Sequence, residues 1–161
     1  MRHDAVTDET GTGSIGRMRR EDLDLEGKNW NIPAHDMKSG KSRVVRLSDR
    51  AAALLSDWPR LTGPYIFGVG SDGIKAFNGR SKGMKRMRKA GIAGDWRLHD
   101  LRRTAVTLAQ RGGAGIDEIR ALTQHKVSGV ISVYARHQYA AERKRVVAII
   151  DREIGDVLAD S

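Results

Sequence analysis

His99 and Arg102 stand three positions apart in Leu98-His99-Asp100-Leu101-Arg102. On a helix that spacing puts both side chains on one face. An imidazole and a guanidinium converging there suit a phosphate. The guanidinium is a permanently charged fork matched to phosphate oxygens, while the imidazole donates a hydrogen bond or moves a proton near neutral pH. The same pair also arises where a histidine caps a helix beside a surface arginine, and spacing alone does not separate the two. Farther along, TQHKVSGVISVYARH sets His125 nine positions before Tyr134. Lys38 lies in another polar stretch, KSGKSRVVRL, with Lys41 three positions on. Gly11, Gly13 and Gly16 spell G-x-G-x-x-G. That fingerprint holds a dinucleotide only between a buried strand and a helix, and MRHDAVTDET is not a buried strand. The chain has no cysteine, which removes thiol nucleophiles, disulfides, Cys-ligated zinc and iron–sulfur clusters.

The elements that must carry these residues follow from periodicity. Asn29 to Pro33 and Ser42 to Leu47 read as two strands joined by a basic tip, with Ser39-Gly40 as the turn. Ser48 or Asp49 caps a helix bearing Ala52, Leu54 and Leu55. Tyr65 to Phe67 is a third strand or an irregular connection. Arg80 to Lys89 is a basic helical run with a solvated face. From Leu98 a helix places Leu101, Thr104, Ala105 and Leu108 at helical spacing and stops at Gly112-Gly113. A shorter helix buries Ile116, Ile119 and Leu122. The tail repeats Val147, Ile150, Ile154 and Val157/Leu158, an amphipathic helix. The polar residues 1–16 read as a loose arm, and 17–161 as one domain, which suits a chain of 161 residues.

Lysine and arginine number 29 against 20 acidic residues, a net charge of +9, so a polyanionic partner is favoured. No apolar run approaches the ~20 residues that span a bilayer. The start lacks the apolar core of a secretory signal, and a cytoplasmic location is the expectation.

Taken together, His99-Asp100-Leu101-Arg102, His125 and Tyr134 resemble, in order and spacing, the C-terminal catalytic domain of the tyrosine recombinases, or phage integrases. Lys38 stands in the hairpin turn where that family carries a catalytic lysine, and MRREDLDLEGKNWNIP resembles the stretch after its first catalytic helix. The resemblance spans roughly residues 17–140. It implies an α+β fold, mainly helical, with a small antiparallel β-sheet at one edge and an active site in a basic groove. It implies double-stranded DNA as partner, and strand exchange with neither metal nor other cofactor. Tyr134 would attack the phosphodiester and hold the 3′-phosphate covalently. Arg102 and His125 would stabilise the transition state, Lys38 would protonate the departing 5′-oxygen, and His99 would assist as acid or base. Arg80, Lys82, Lys85 and Arg86 would meet the DNA backbone, and Arg103 is a DNA-backbone contact or an ion pair. Trp96 is expected to pack against the helix that follows it, and His137 is either a capping or a DNA-facing residue.

The sequence departs from the family at its opening half. Members carry a second catalytic arginine in a T-G-x-R-x-x-E motif. Counting back from Leu25, the arginine falls on Gly11 and the glutamate on Ser14; with the motif's T-G on Thr10-Gly11, the arginine falls on Gly13. Neither placement supplies a guanidinium; Arg17, Arg19 and Arg20 stand nearby, and the sequence gives no geometric reason for any of them to replace it. Relatives also have an N-terminal domain that completes a clamp around the duplex. Without it the chain is expected to grip DNA from one side, as a truncated part of a prophage or mobile element. Gln124 stands where relatives have glycine. Two functions compete: a recombinase impaired by one lost arginine, and a non-catalytic DNA-binding remnant or modulator of the same fold. A third, from another class, is association through the apolar face of residues 146–158, which in relatives docks on a neighbouring protomer, giving a homo-oligomer on DNA. The plain alternative is that this face packs on its own domain.

Overall fold

The computed structural model describes residues 12–37, 39–91, 94–95, 97–123 and 131–160. Contacts divide the chain into two compact units, one of residues 1–47 with 51–94 and one of 48–50 with 95–161.

In the first unit, Trp30 and Ile32 are 4% and 2% exposed and Asn31 between them is exposed, the alternation of a strand with one buried face. Strands β1 (Leu23–Asp24), β2 (Asn29–Ile32) and β3 (Arg43–Arg46) pair antiparallel in that order. Trp30 lies opposite Leu23 on one side and Val45 on the other. Met18, Met37, Leu47, Ala52, Leu55 and Ile66 complete the core around the two β2 side chains. Ala52 and Leu55 come from α2 (Asp49–Asp57), whereas Leu54 faces water. The Arg20 guanidinium donates to the carbonyls of Trp58 and Pro59, both at 3.0 Å, just past the end of α2, where helix geometry leaves carbonyls without partners.

Two features of this unit differ from the sequence expectation, and at Tyr65 the irregular connection holds over the third strand. Thr12–Gly16, within the predicted loose arm, form a short helix, α1, with Ser14 buried. Main-chain bonds hold it: the Phe77 N–H donates to the Gly16 carbonyl at 3.1 Å, and the Ile66 N–H to the Met18 carbonyl at 2.9 Å. A Cβ on Gly16 would collide with the Phe77 carbonyl oxygen, so this glycine serves close backbone approach rather than a nucleotide. Tyr65 makes a single antiparallel bridge to Arg19, and the third strand of the sheet is β1. A second, two-stranded sheet of β4 (Gly68–Val69) and β5 (Lys75–Ala76) has no counterpart in the periodicity, since two-residue strands are too short to show alternation.

Helix α3 (Arg80–Lys89) is exposed at Lys82, Lys85, Arg86, Arg88 and Lys89, as its charge predicts. Mainly helical composition with a small antiparallel sheet is thus the architecture of the chain. Among the described residues no helix is long and apolar enough to cross a membrane.

The second unit is built on α4 (Leu98–Arg111), α5 (Ile116–Thr123) and α6 (Ile131–Ala159), which pack on one another. At the start of α4 the Asp100 carboxylate accepts the Arg97 N–H at 2.8 Å, satisfying a donor the helix leaves open. At its end the Gly112 N–H reaches the Leu108 carbonyl at 2.9 Å, and Gly113 turns the chain with φ +85°. Ala109, Ala121, Val146 and Ile149 form the buried apolar set. On α5 the sequence predicts burial of Ile116, Ile119 and Leu122. The structure instead exposes Ile116 and buries Glu118 and Ala121. Burial of Glu118 is made tolerable by two donors, the Gly115 N–H at 2.6 Å and Arg145 Nε at 3.1 Å. On α6 the buried stripe is Val146, Ile149 and Glu153, while Ile154, Val157 and Leu158 are exposed. The stripe is rotated from the predicted one because Gly112 leaves room for Ile149 and Arg111 Nε grips Glu153 at 2.6 Å.

Candidate active site

The first turn of α4 presents His99 to solvent, while Arg102, one turn on, is half-buried. Arg102 Nη2 donates to the main-chain carbonyl of Thr123, the last residue of α5, two before His125. One end of a permanently charged fork therefore closes the end of α5, where a carbonyl otherwise lacks a partner. The alternative of a capping histidine does not hold, because Asp100 supplies the cap. Arg103 is exposed and faces Asp100 at 3.8 Å.

Tyr134 lies in the first turn of α6, in the same three-helix unit as His99 and Arg102; its side chain lies outside what is described, as do those of Arg80, Arg136 and His137. His125, Gln124, Trp96 and Lys38 lie outside the described residues. The residues flanking Lys38 form a turn between β2 and β3: Met37 is 6% exposed, its carbonyl accepts the Gly40 N–H at 3.0 Å, and Gly40 takes φ +64°, the left-handed region glycine enters freely.

The nearby arginines that the sequence offers for the absent family arginine are all engaged. Arg17 pairs with Asp36 at 3.0 Å. Arg20 holds the carbonyls after α2. Arg19 lies over the Tyr65 ring, 5.4 Å from its centroid, and meets Glu21 at 3.4 Å. Hydrogen bonding to Tyr65 and then to Glu21 raises the Arg19 pKa further, against burial. On α3, Lys82, Lys85 and Arg86 are exposed. Between Asp72 and Asp95 the chain carries seven lysines and arginines and no carboxylate, a local positive field that attracts polyanions.

Sequence reasoning missed the Arg102 bond to Thr123, the Asp100 cap and the buried glutamates Glu118 and Glu153. An acidic residue at the third helical position is the one signal that pointed to Asp100. A main-chain acceptor such as the Thr123 carbonyl leaves no mark in sequence.

The sequence pattern of the phage integrase family matches residues 11–141. The chain is 30% identical over 138 residues to Prophage integrase IntA of Escherichia coli (strain K12), the match covering 84% of this chain and 33% of that protein. The chain thus spans about a third of that relative's length. No solved structure matches it. With that pattern covering residues 11–141 of the 161, the chain belongs to the phage integrase family.

Proposed function

We propose that this chain cleaves and rejoins double-stranded DNA in site-specific recombination through a phosphotyrosyl link at Tyr134. In the cleavage step the Tyr134 Oη–phosphorus bond forms and the phosphorus–O5′ bond breaks. The phenolic proton passes to an acceptor, a role the family resemblance gives to His99 as acid or base, and Lys38 gives a proton to the departing O5′. Arg102 and His125 carry the charge on the non-bridging oxygens. Rejoining reverses these steps, so bond energy is kept and no cofactor is consumed. The observation that carries the reading is the membership of His99, Arg102 and Tyr134 in one helical unit, with Arg102 already half-buried and hydrogen-bonded rather than loose on the surface.

A phenol with a pKa near ~10 needs nearby cations to ionise. Loss of one phosphate-binding arginine is worth ~2.7–4 kcal/mol if it behaves like removal of an oxyanion donor, a slowing of two to three orders of magnitude. Nicked duplexes of randomised sequence at low salt, denatured after incubation, test the reading. Wild type is expected to leave covalent protein–DNA adduct and Tyr134→Phe none.

A second reading, a non-catalytic DNA-binding module of the same fold, is favoured by glycine at positions 11 and 13 and by the engagement of Arg17 and Arg20. Salt-dependent binding of the same duplexes with no adduct from wild type supports it and removes the first. Self-association on DNA through the exposed end of α6 belongs to either reading, supported by the exposure of Ile154, Val157 and Leu158.

A further inference from the structure

Arg17 lies 19 positions before Asp36, yet one guanidinium takes hold of that residue twice. Its Nε donates to Asp36 Oδ1 at 3.0 Å, and its Nη2 donates to the Asp36 main-chain carbonyl at 3.1 Å. Asp36 ends a tight turn, Ala34–Asp36, closed by the Asp36 N–H on the Pro33 carbonyl at 3.0 Å and the Met37 N–H on the Ala34 carbonyl at 3.1 Å. The next residue, Met37, is buried in the core, and its carbonyl closes the following turn at Gly40. His35 Nε2 lies 3.7 Å from Asp36 Oδ2. Arg17 is itself fixed, because its N–H donates to the Ser14 carbonyl at 3.0 Å and the preceding Gly16 is pinned to Phe77.

An exposed ion pair alone contributes little to stability, with a median of about 0–1 kcal/mol. What distinguishes this pair is the second bond, to the main chain, which fixes the path of the backbone at the entry to the β2–β3 turn. We infer that Arg17 is a positioning residue for the β2–β3 turn that carries Lys38 in its sequence, holding the entry to that turn through Asp36. The inference rests on the recombinase reading above.

The test uses duplexes carrying, within randomised sequence, one scissile linkage with either the natural bridging 5′-oxygen or a 5′-sulfur. A thiol with a pKa near ~8.5 leaves as the thiolate without being protonated. A defect in proton delivery therefore vanishes on the sulfur substrate, while a defect in phosphate binding or folding does not. On the oxygen substrate, Arg17→Ala and Asp36→Asn are expected to slow adduct formation about tenfold to a hundredfold, the cost of a misplaced group. On the sulfur substrate both should recover alongside Lys38→Ala, and Arg17→Lys should fall between. Equal impairment on both substrates, or no impairment on oxygen, overturns the inference.

Hydrogen exchange supplies a readout independent of activity. The Gly40 amide should lose protection in Arg17→Ala and Asp36→Asn while the amides of β2 and β3 keep theirs. Unchanged Gly40 protection overturns the inference. Wild type forming no Tyr134-dependent adduct on either substrate overturns the recombinase reading beneath it, whereas adduct from wild type without sulfur rescue of Arg17→Ala overturns the positioning role alone.

Discussion

Glu153 shows how one residue's surroundings set its chemistry. Its carboxylate is buried, which favours the neutral acid, yet the hydrogen bond from Arg111, followed by the charges of Arg111 and Arg152, holds its pKa below the ordinary glutamate value. A carboxylate with a depressed folded-state pKa adds stability that is present above the unfolded value, about 4.3, and is lost as pH falls through the lower folded value. Glu153→Gln is therefore expected to lower the urea midpoint at neutral pH, with the gap to wild type closing in acid. A gap that stays constant from pH 7 to pH 3 would assign the loss to packing instead. At this scale the sequence was informative where spacing alone implies convergence, as for His99 and Arg102. It was silent where the partner is a main-chain atom or a buried carboxylate, as for Thr123 and Glu118, because neither has a distinctive residue type or period.

At the level of elements, glycine has opposite meanings in two helices. A methyl group on Gly16 would strike the Phe77 carbonyl where α1 meets the residues after β5, whereas one on Gly83, inside α3, would meet nothing within 4 Å. Gly16→Ala should thus destabilise by ~1–3 kcal/mol, the usual cost of overpacking. Gly83→Ala should stabilise by ~0.4–1 kcal/mol by removing chain entropy from the unfolded state. Thermal unfolding of the two variants checks both signs. The β2–β3 hairpin, helices α2, α4 and α5 and the later part of α6 were legible because their periods of two and 3.6 residues run long enough to register, and α3 by its density of charge, whereas the start of α6 that carries Tyr134 was not read as helix. Helix α1 and the β4–β5 pair were not, being shorter than either signal. Which face of α6 is buried was not legible either, since Val146/Ile149 and Val147/Ile150 both repeat at helical spacing. Gly112 and Arg111, distant in sequence, decide between them.

Across the whole molecule, family and fold class followed from a few ordered residues, while the pairing of guanidinium groups with carboxylates did not. Net charge of +9 favours a polyanion, and the exposed apolar end of α6 is the surface on which the proposed self-association is tested. Leu158 is 61% exposed, so Leu158→Asp should leave the circular dichroism spectrum unchanged. If α6 mediates self-association, that variant stays monomeric in sedimentation at concentrations where the wild-type mass rises. A wild-type mass independent of concentration rules the association out.

Helix α6 runs without a break from Ile131 to Ala159, so the backbone of Tyr134 and the end of the chain form one rod. Because the sequence lacks cysteine, nitroxide labels at Ala140→Cys and Ala159→Cys, both exposed positions, would be the only spin-bearing thiols. A rise of 1.5 Å per residue separates their backbones by about 28 Å, and dipolar spectroscopy should return one narrow distribution near that distance, with and without DNA. A rod of this kind transmits tilt: a partner that grips the tail would swing the far end of the helix, and the tyrosine with it, as a rudder bar turns a blade.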